Sequence, residues 1–234
     1  MQTTALAQTS AQHLRADFSR REAVEVDALP EVASPEAGVT RRLIERDGGE
    51  VARATSIVRY LPGARFPTHV HDLGEEFVVL EGEFADEYGR YPQRTYVRNP
   101  PGSSHAPFTD TGCVLFVKLR HMDPRDSNRV VVETQGAPWH PGSAPGLSVM
   151  PLGEFAGEHT ALVRWDPGTR FGAHRHWGGE EILVLEGVFE DEYGVYPQGS
   201  WLRSPHGSHH QPFSNEGCVI WVKVGHLPVE PEGQ

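Results

Sequence analysis

Histidine and glutamate residues recur in this chain at a spacing that is typical of a metal site. They form two sets with the same internal spacing, which are His69, His71, Glu75 and His105, and His174, His176, Glu180 and His210. Three imidazoles and one carboxylate suit a borderline divalent ion, and a six-coordinate metal would keep two positions open. The sequence therefore predicts up to two divalent metal ions per chain, zinc or iron, with manganese, nickel and copper as further candidates.

The residue after each proposed carboxylate ligand is also a glutamate, Glu76 in the first set and Glu181 in the second. Successive side chains of a strand project to opposite faces, so only one glutamate of each pair can face the histidines. The strand register favours Glu75 and Glu180 as the ligands and places their neighbours on the other face.

A similar ambiguity concerns the last histidine of the second set, because His209 and His210 are adjacent. His210 aligns with His105, whereas His209 aligns with Ser104, so His210 is the expected ligand. The competing interpretation of both sets is a buried hydrogen-bond network of histidines that holds no ion.

The two sets lie in an internal duplication. Residues 58–121 align with residues 163–226 without a gap, and 36 of the 64 pairs are identical. A period near 105 residues is that of a small domain. We predict a flexible N-terminal segment over 1–36, a first domain over 37–125, a linker over 126–144, a second domain over 145–228 and a tail over 229–234.

Short strands must position these residues. Runs such as EFVVLEG and CVLFVKL are rich in β-branched and aromatic residues, and Gly, Pro or Asp clusters separate them. The 25 glycines and 19 prolines agree with many turns. Several short antiparallel strands per repeat predict a sandwich or a jelly-roll barrel. A short helix is expected only near residues 10–20.

The repeated motif carries a family resemblance. G-x5-HxH-x3-E-x6-G followed by P-x-G-x2-H resembles the metal-binding cupin signature, and it occurs in both repeats. The EExxVLEGxFxDExGxYP block, the PxGSxH turn and the trailing GC-x4-K are similar to the ChrR-type cupin, the C-terminal sensory domain of zinc-binding anti-sigma factors. The resemblance implies an all-β chain with two tandem double-stranded β-helix (jelly-roll, cupin) barrels, each holding a metal through its own set.

Other recurring residues are expected to have structural roles. The block Asp86-Glu87-Tyr88-Gly89 and its copy at 191–194 indicate an acidic hairpin tip. The recurring cations Arg59/Arg164, Arg65/Arg170 and Lys118/Lys223 are expected to pair with Glu81/Glu186 or with these tips. Phe66, Phe77 and Phe108, with Phe171, Ile182 and Phe213, are expected to line or close the barrels. Cys113 and Cys218 are expected to be small buried residues.

Composition excludes several classes of function. The net charge is −11 and no basic run is present, so nucleic acid is not an expected partner. No apolar run approaches the roughly 20 residues of a membrane span, and no secretory signal is recognisable. Two cysteines argue against a disulfide scaffold. The expectation is a cytoplasmic protein with a small-molecule ligand or substrate; whether it forms a homodimer is left open.

Two functions compete. Cupins of similar layout include metal-dependent dioxygenases that cleave β-diketones or hydroxyacetophenones, which would make this chain a non-haem enzyme with a small organic substrate. The alternative is a non-catalytic zinc- or ligand-binding sensor; a sugar-phosphate isomerase or epimerase is less favoured. Anti-sigma proteins also carry a helical domain with a His/Cys zinc cluster, but only His13 precedes His69 here and no cysteine precedes Cys113. Direct anti-sigma activity is therefore not expected, and no residue is assigned a catalytic role.

Overall fold

Residues 12–49 and 51–229 are described by the structure, a computed structural model. Regular structure in these ranges is β-strand throughout, apart from one 3₁₀ turn at Val26–Ala28. This described part of the chain contains no helix that is long and apolar enough to cross a membrane. The all-β class predicted from the sequence is confirmed.

The first repeat forms one antiparallel barrel. The strands in this half of the chain are β1 (Gln12–Leu14), β2 (Glu22–Glu25), β3 (Glu31–Ala33), β4 (Val39–Gly48), β5 (Ala52–Tyr60), β6 (His69–His71), β7 (Glu75–Asp86), β8 (Gly89–Pro92), β9 (Thr95–Asn99), β10 (Ser103–His105) and β11 (Cys113–Leu119). The main sheet runs in the order β1-β4-β5-β11-β7-β9, with β3 on β4 and β8 on β7. β6 and β10 pair separately and carry the three histidines of the first set.

The second repeat builds the same barrel. Its half of the chain contains β12 (Val130–Glu133), β13 (His140–Pro141), β14 (Leu147–Phe155), β15 (Glu158–Trp165), β16 (Thr169–Arg170), β17 (His174–Arg175), β18 (Glu180–Asp191), β19 (Gly194–Pro197), β20 (Ser200–Ser204), β21 (His209–His210), β22 (Phe213–Ser214) and β23 (Cys218–Val224). The sheet order β14-β15-β23-β18-β20 repeats the order β4-β5-β11-β7-β9 of the first barrel, and β13 pairs with β14 as β3 pairs with β4. β17 pairs with β21 as β6 pairs with β10. The prediction of two tandem jelly-roll barrels is confirmed.

Each repeat contributes its leading strand to the barrel of the other. β2 precedes the first barrel in the chain but pairs with β20 of the second, with Glu22 opposite Arg203. β12 precedes the second barrel but pairs with β9 of the first, with Val130 opposite Arg98. Glu22 and Val130 lie 108 positions apart, as do Val39 and Leu147 at the start of β4 and β14. Their partners Arg203 and Arg98 lie 105 positions apart, so the two pairings are equivalent and the repeats have exchanged strands.

The paired strands of the N-terminal segment correct one expectation from the sequence. The helix expected near residues 10–20 is wrong where the structure describes the chain, because Gln12–Leu14 is a strand paired with β4. The segment expected to be a flexible lead-in contains β2 and β3 within residues 12–36, both hydrogen-bonded to neighbouring strands. Composition suggested mobility, but the alternating pattern of Glu22–Glu25 fits a half-buried strand.

Apolar side chains form three clusters. Two fill the barrel interiors, and they include Phe77, Phe84 and Tyr91 in the first and Ile182, Phe189 and Tyr196 in the second. The third lies between the barrels and includes Ile44, Phe116, Trp201 and Trp221. Phe66 and Phe171 pack against the interior clusters, as expected. Phe108 and Phe213 lie outside these clusters, under the guanidinium groups of Arg65 and Arg170. The barrels therefore share a core with each other as well as having their own.

Buried ion pairs cross the contact between the barrels in a reciprocal pattern. Lys118 of the first barrel donates to Glu181 of the second at 2.6 Å, and Lys223 of the second donates to Glu76 of the first at 2.8 Å. The expectation that these lysines pair with Glu81, Glu186 or the hairpin tips is wrong. Lys118 and Lys223 project from β11 and β23 toward the opposite barrel, so each meets a glutamate of the other repeat, and Lys223 also donates to Glu158 of its own barrel at 2.6 Å.

The last repeated histidines belong to the same contact. His121 Nε2 lies 2.9 Å from Glu76, and His226 Nε2 lies 3.0 Å from Glu181. Burial lowers the pKa of His121 to about 3 and that of His226 to about 4, so both rings are neutral at pH 7. Both histidines are therefore hydrogen-bonding groups of the contact between the barrels.

The motif glycine Gly82 is required by a close backbone approach. Its φ is +71°, and a Cβ at this position would lie 2.1 Å from the carbonyl oxygen of Gly112. Gly187 meets Gly217 in the same way at 2.1 Å. Gly63 has a similar φ of +79°, but a Cβ there would have no other atom within 4 Å, so it isolates the conformational effect from the steric one.

We expect Gly82→Ala to destabilise the protein more than Gly63→Ala. The left-handed backbone costs an alanine about 1–2 kcal/mol at either site, and the overlap with Gly112 adds about 1–3 kcal/mol at residue 82 only. Urea unfolding followed by circular dichroism gives both free energies of unfolding. Equal losses for the two variants would contradict the close approach.

Candidate metal centre

The first set of candidate ligands is assembled by two short strands and a turn. His69 and His71 project from one face of β6, and β10 pairs with β6 so that His105 lies opposite His69. Gly74, with φ +77°, reverses the chain after His71, and Glu75 follows as the first residue of β7. The same turn uses Gly179 in the second repeat, with φ +71°. The local sequence therefore brings the side chains of His69, His71 and Glu75 close together.

The four side chains of the first set do not all approach one another equally. One ring nitrogen from each of His69, His71 and His105 lies within 4.8 Å of the others. His71 Nε2 and His105 Nε2 are 3.0 Å apart, and Glu75 Oε2 lies 3.5 Å from each of them. Glu75 is not part of the group within 4.8 Å, because its carboxylate is close to His71 and His105 but farther from His69.

The second set is more compact. His174, His176, Glu180 and His210 each contribute a ligand atom within 4.8 Å of the other three. Glu180 Oε2 lies 3.5 Å from His176 Nε2 and 3.6 Å from His210 Nε2. Both of these ring nitrogens are buried and have no hydrogen-bond partner. Buried nitrogens without a partner beside a carboxylate fit a divalent ion, which would satisfy all of them.

In His69 and His174, the hydrogen bond made by Nδ1 leaves Nε2 available for coordination. His69 Nδ1 and His174 Nδ1 each lie 3.0 Å from a backbone carbonyl oxygen, of Pro67 and Gly172 respectively. A carbonyl can only accept, so Nδ1 carries the proton and Nε2 keeps its lone pair. The geometry therefore selects the tautomer that a metal requires.

In the last histidine of each set, a carboxylate accepts the hydrogen bond from Nδ1 in place of a backbone carbonyl oxygen. Asp86 Oδ2 lies 3.1 Å from His105 Nδ1, and Asp191 Oδ2 lies 3.3 Å from His210 Nδ1. Such carboxylates orient metal-binding histidines and raise their basicity. Sequence reasoning treated this block as a hairpin tip only. The signal it missed is the constant separation of 19 residues between the aspartate and the histidine in both repeats.

The two candidate carboxylate ligands differ in their surroundings. Burial raises the pKa of both, but around Glu75 the charges of His71 and His105 and a 3.0 Å hydrogen bond from Asn99 outweigh it, and the pKa falls below its ordinary value. Burial raises the pKa of Glu180 to about 7. Ser204 stands where the first repeat has Asn99, so Glu180 lacks that donor.

The competing candidates lie elsewhere. Glu76 and Glu181 face the other barrel and bind Lys223 and Lys118 there, and His209 is exposed to solvent. The structure therefore brings together the residues that the sequence favoured, and their binding of metal stays a prediction.

A third group of candidate ligands consists of Glu76, His121 and Glu158. The Lys223 ammonium already lies 2.8 Å from Glu76 and 2.6 Å from Glu158, and Arg98 donates to both. The positive charges that these carboxylates need are thus supplied by the protein, and the group is part of the contact between the barrels.

The cysteines stand apart from these sets. Cys113 and Cys218 are free and buried, as expected. Burial raises the pKa of Cys113 to about 12 and that of Cys218 to about 11, so both are neutral thiols at pH 7. Each packs into the apolar interior of its barrel.

Comparison with known families identifies the class of the protein. The family model described as the ChrR cupin-like domain matches residues 19–123 and again residues 127–228. The chain therefore belongs to the ChrR cupin-like family, with two copies of the domain. Each matched range includes the leading strand that the repeat contributes to the other barrel. No curated protein sequence matches the chain.

Solved structures share the whole two-barrel fold at low sequence identity. A "putative dioxygenase" from Nostoc punctiforme is 14% identical with a TM-score of 0.77, and the match covers 97% of this chain and 94% of that one. Protein Ylba from E. coli is 14% identical with a TM-score of 0.70, covering 97% of each chain. Oxalate decarboxylase from Lactobacillus farciminis, in a formate complex, is 13% identical with a TM-score of 0.60, covering 88% and 86%. Such identities establish a common fold.

We expect His71→Ala and His176→Ala each to remove one metal ion per chain. Each substitution deletes a ring nitrogen from one set and leaves the other set, in the other barrel, intact. Metal content of protein purified without chelators, measured by inductively coupled plasma mass spectrometry, gives the stoichiometry. The exposed His159→Ala serves as the control, and unchanged metal content in His71→Ala would refute the first site.

We expect Asp86→Asn to weaken metal binding at the first site about 10- to 100-fold. Asparagine keeps the oxygen that accepts from the backbone N–H groups of Tyr88 and Gly89, so the hairpin turn is retained. Its amide nitrogen replaces Oδ2 and cannot accept from His105. Competitive titration with a fluorescent chelator measures the affinity, and Asp110→Asn, at an exposed acid, is the matched control.

Proposed function

We propose that the protein binds one mononuclear divalent metal ion in each barrel and acts as a non-haem metal-dependent dioxygenase on a small diketone-like organic substrate. The observation that carries the metal site is the convergence of three imidazoles and one carboxylate in both barrels, with two buried ring nitrogens of the second set lacking any partner. A borderline ion held by such ligands supplies Lewis acidity and, as iron, electrons for dioxygen chemistry.

The protein's own residues provide an access side and an apolar side. His69 and His174 are only partly buried, whereas the other histidines of each set are buried, so the first ligand of each set marks the side that faces solvent. Phe84 lies 6.1 Å from His105 and Phe189 lies 6.2 Å from His210, between ring centroids. Such aromatic walls exclude water from the inner side of a reactive centre.

The family assignment favours a second candidate, a non-catalytic zinc- or ligand-binding sensor. Both domains match the ChrR cupin-like model, and the barrel interiors are filled by aromatic and aliphatic side chains. A sensor needs a metal site that responds to a ligand or an oxidant, and it needs no general base. The sets of ligands suit either function, so turnover is the discriminating property.

The dioxygenase proposal predicts oxygen consumption that depends on iron. Protein stripped of metal and reloaded anaerobically with Fe²⁺ is expected to consume one dioxygen per molecule of a β-diketone such as pentane-2,4-dione, measured with an oxygen electrode across a substrate panel. The double variant His71→Ala/His176→Ala should consume none. Two zinc ions per chain as purified, with no oxygen uptake after iron loading, would leave the sensor as the function.

A further inference from the structure

The exchanged strands carry one arginine each to the neighbourhood of the opposite metal centre. Arg21 directly precedes β2 and Arg129 directly precedes β12, and the two residues are 108 positions apart, as the strands are. Arg21 belongs to the first repeat but contacts the second barrel, and Arg129 belongs to the second repeat but contacts the first. Arg21 contacts both the tyrosine and the aspartate that lie behind the last histidine ligand, whereas Arg129 contacts the tyrosine only.

In the second barrel this contact is direct. Arg21 Nη2 donates to Asp191 Oδ2 at 2.6 Å and to the Tyr196 hydroxyl at 2.9 Å. The same carboxylate oxygen accepts from His210 Nδ1. The Arg21 guanidinium also lies over the Tyr193 ring, 4.5 Å from its centroid. The Asp191 side chain is fully buried, so its negative charge depends on these donors.

In the first barrel the contact between the arginine and the aspartate is indirect, because a tyrosine lies between them. Arg129 Nη2 donates to the Tyr91 hydroxyl at 2.7 Å, and Tyr91 donates to Asp86 Oδ1 at 2.9 Å. The other oxygen of Asp86 faces His105. The guanidinium lies 5.3 Å from the centroid of the Tyr88 ring, as its counterpart lies over Tyr193. Equivalent residues therefore form a hydrogen-bond network in both barrels. The difference is that Arg21 donates to its aspartate directly, whereas Arg129 is connected to its aspartate through Tyr91.

We propose that each metal centre is completed by the other repeat, with Arg21 and Arg129 as positioning residues for the aspartates that orient His210 and His105. The inference rests on the proposed metal sites and adds residues that do not touch the metal. Arg21 holds the oxygen that His210 uses, so its loss frees the carboxylate to rotate and leaves a buried charge with fewer donors. Arg129 acts through Tyr91, so its loss has the smaller effect.

The test isolates each site before the arginines are changed. His71→Ala removes a ligand of the first site and leaves the second to be measured, and His176→Ala does the reverse. Co²⁺ is the probe, because its visible absorption reports ligand geometry and its titration gives a dissociation constant. All variants are made in the full chain.

In the His71→Ala background, Arg21→Ala is expected to weaken Co²⁺ binding about 10-fold and to change the absorption spectrum of bound Co²⁺. Arg21→Lys keeps the charge but lacks the planar guanidinium that lies over the Tyr193 ring, and should recover part of the affinity. Arg129→Ala should leave this site unchanged. In the His176→Ala background the roles reverse, with a loss of about 3-fold for Arg129→Ala. Arg20→Ala and Arg125→Ala, at exposed positions, are the controls.

Two results would overturn the inference. One is unchanged Co²⁺ affinity and spectrum in Arg21→Ala; the other is an equal loss at both sites, which indicates general destabilisation by a weakened strand exchange. If Arg21→Ala does not fold, as judged by circular dichroism, Arg21→Lys alone must change the spectrum of the second site only. A parent chain that binds no Co²⁺ refutes the metal centres themselves, whereas Co²⁺ binding without oxygen uptake by the iron form refutes only the dioxygenase.

Discussion

The alternation of side chains at the start of β7 and β18 is the constraint on which both the metal sets and the contact between the barrels depend. Glu75 faces the histidines inside the first barrel, and Glu76, the next residue, faces Lys223 of the second. In the same way, Glu180 faces the histidines of the second barrel and Glu181 faces Lys118 of the first. A shift of one residue in either strand would remove the candidate ligand and the interface carboxylate together. The register of these strands is therefore held from both faces.

Reciprocity makes the two barrels one structural unit. Glu76 and Glu181 are buried carboxylates whose lysine partners come from the opposite repeat. Arg203 of the second barrel likewise pairs with buried Glu45 of the first. Removing one partner of a buried pair typically costs about 3–5 kcal/mol, so separating the barrels would leave several uncompensated charges. The exchanged strands β2 and β12 add backbone hydrogen bonds across the same division.

Local pattern and duplication were sufficient to predict the all-β fold, the paired barrels and the convergence of His69, His71 and His105, because spacing along a strand and one turn determine these contacts. Long-range partners could not be predicted in this way. Nothing in the sequence near Lys118 indicates Glu181, and the pattern of Glu22–Glu25 does not specify β20 as its neighbour. The contact of Asp86 with His105 could have been predicted, because the aspartate precedes the last histidine by 19 residues in both repeats. A requirement of the hairpin turn explains the same recurrence equally well.

Differences between the two sets lie around the ligands and not among them. All four ligand types are retained, but Asn99 beside Glu75 corresponds to Ser204, and the direct contact of Arg21 with Asp191 corresponds to an indirect one through Tyr91. Ligand identity governs which metals a site accepts, whereas the surrounding donors govern ligand basicity and affinity. The two centres are thus expected to take the same metal with unequal strength. Since each arginine comes from the opposite repeat, a change in one leading strand is expected to alter the proposed metal centre of the other barrel and to leave that of its own barrel unchanged.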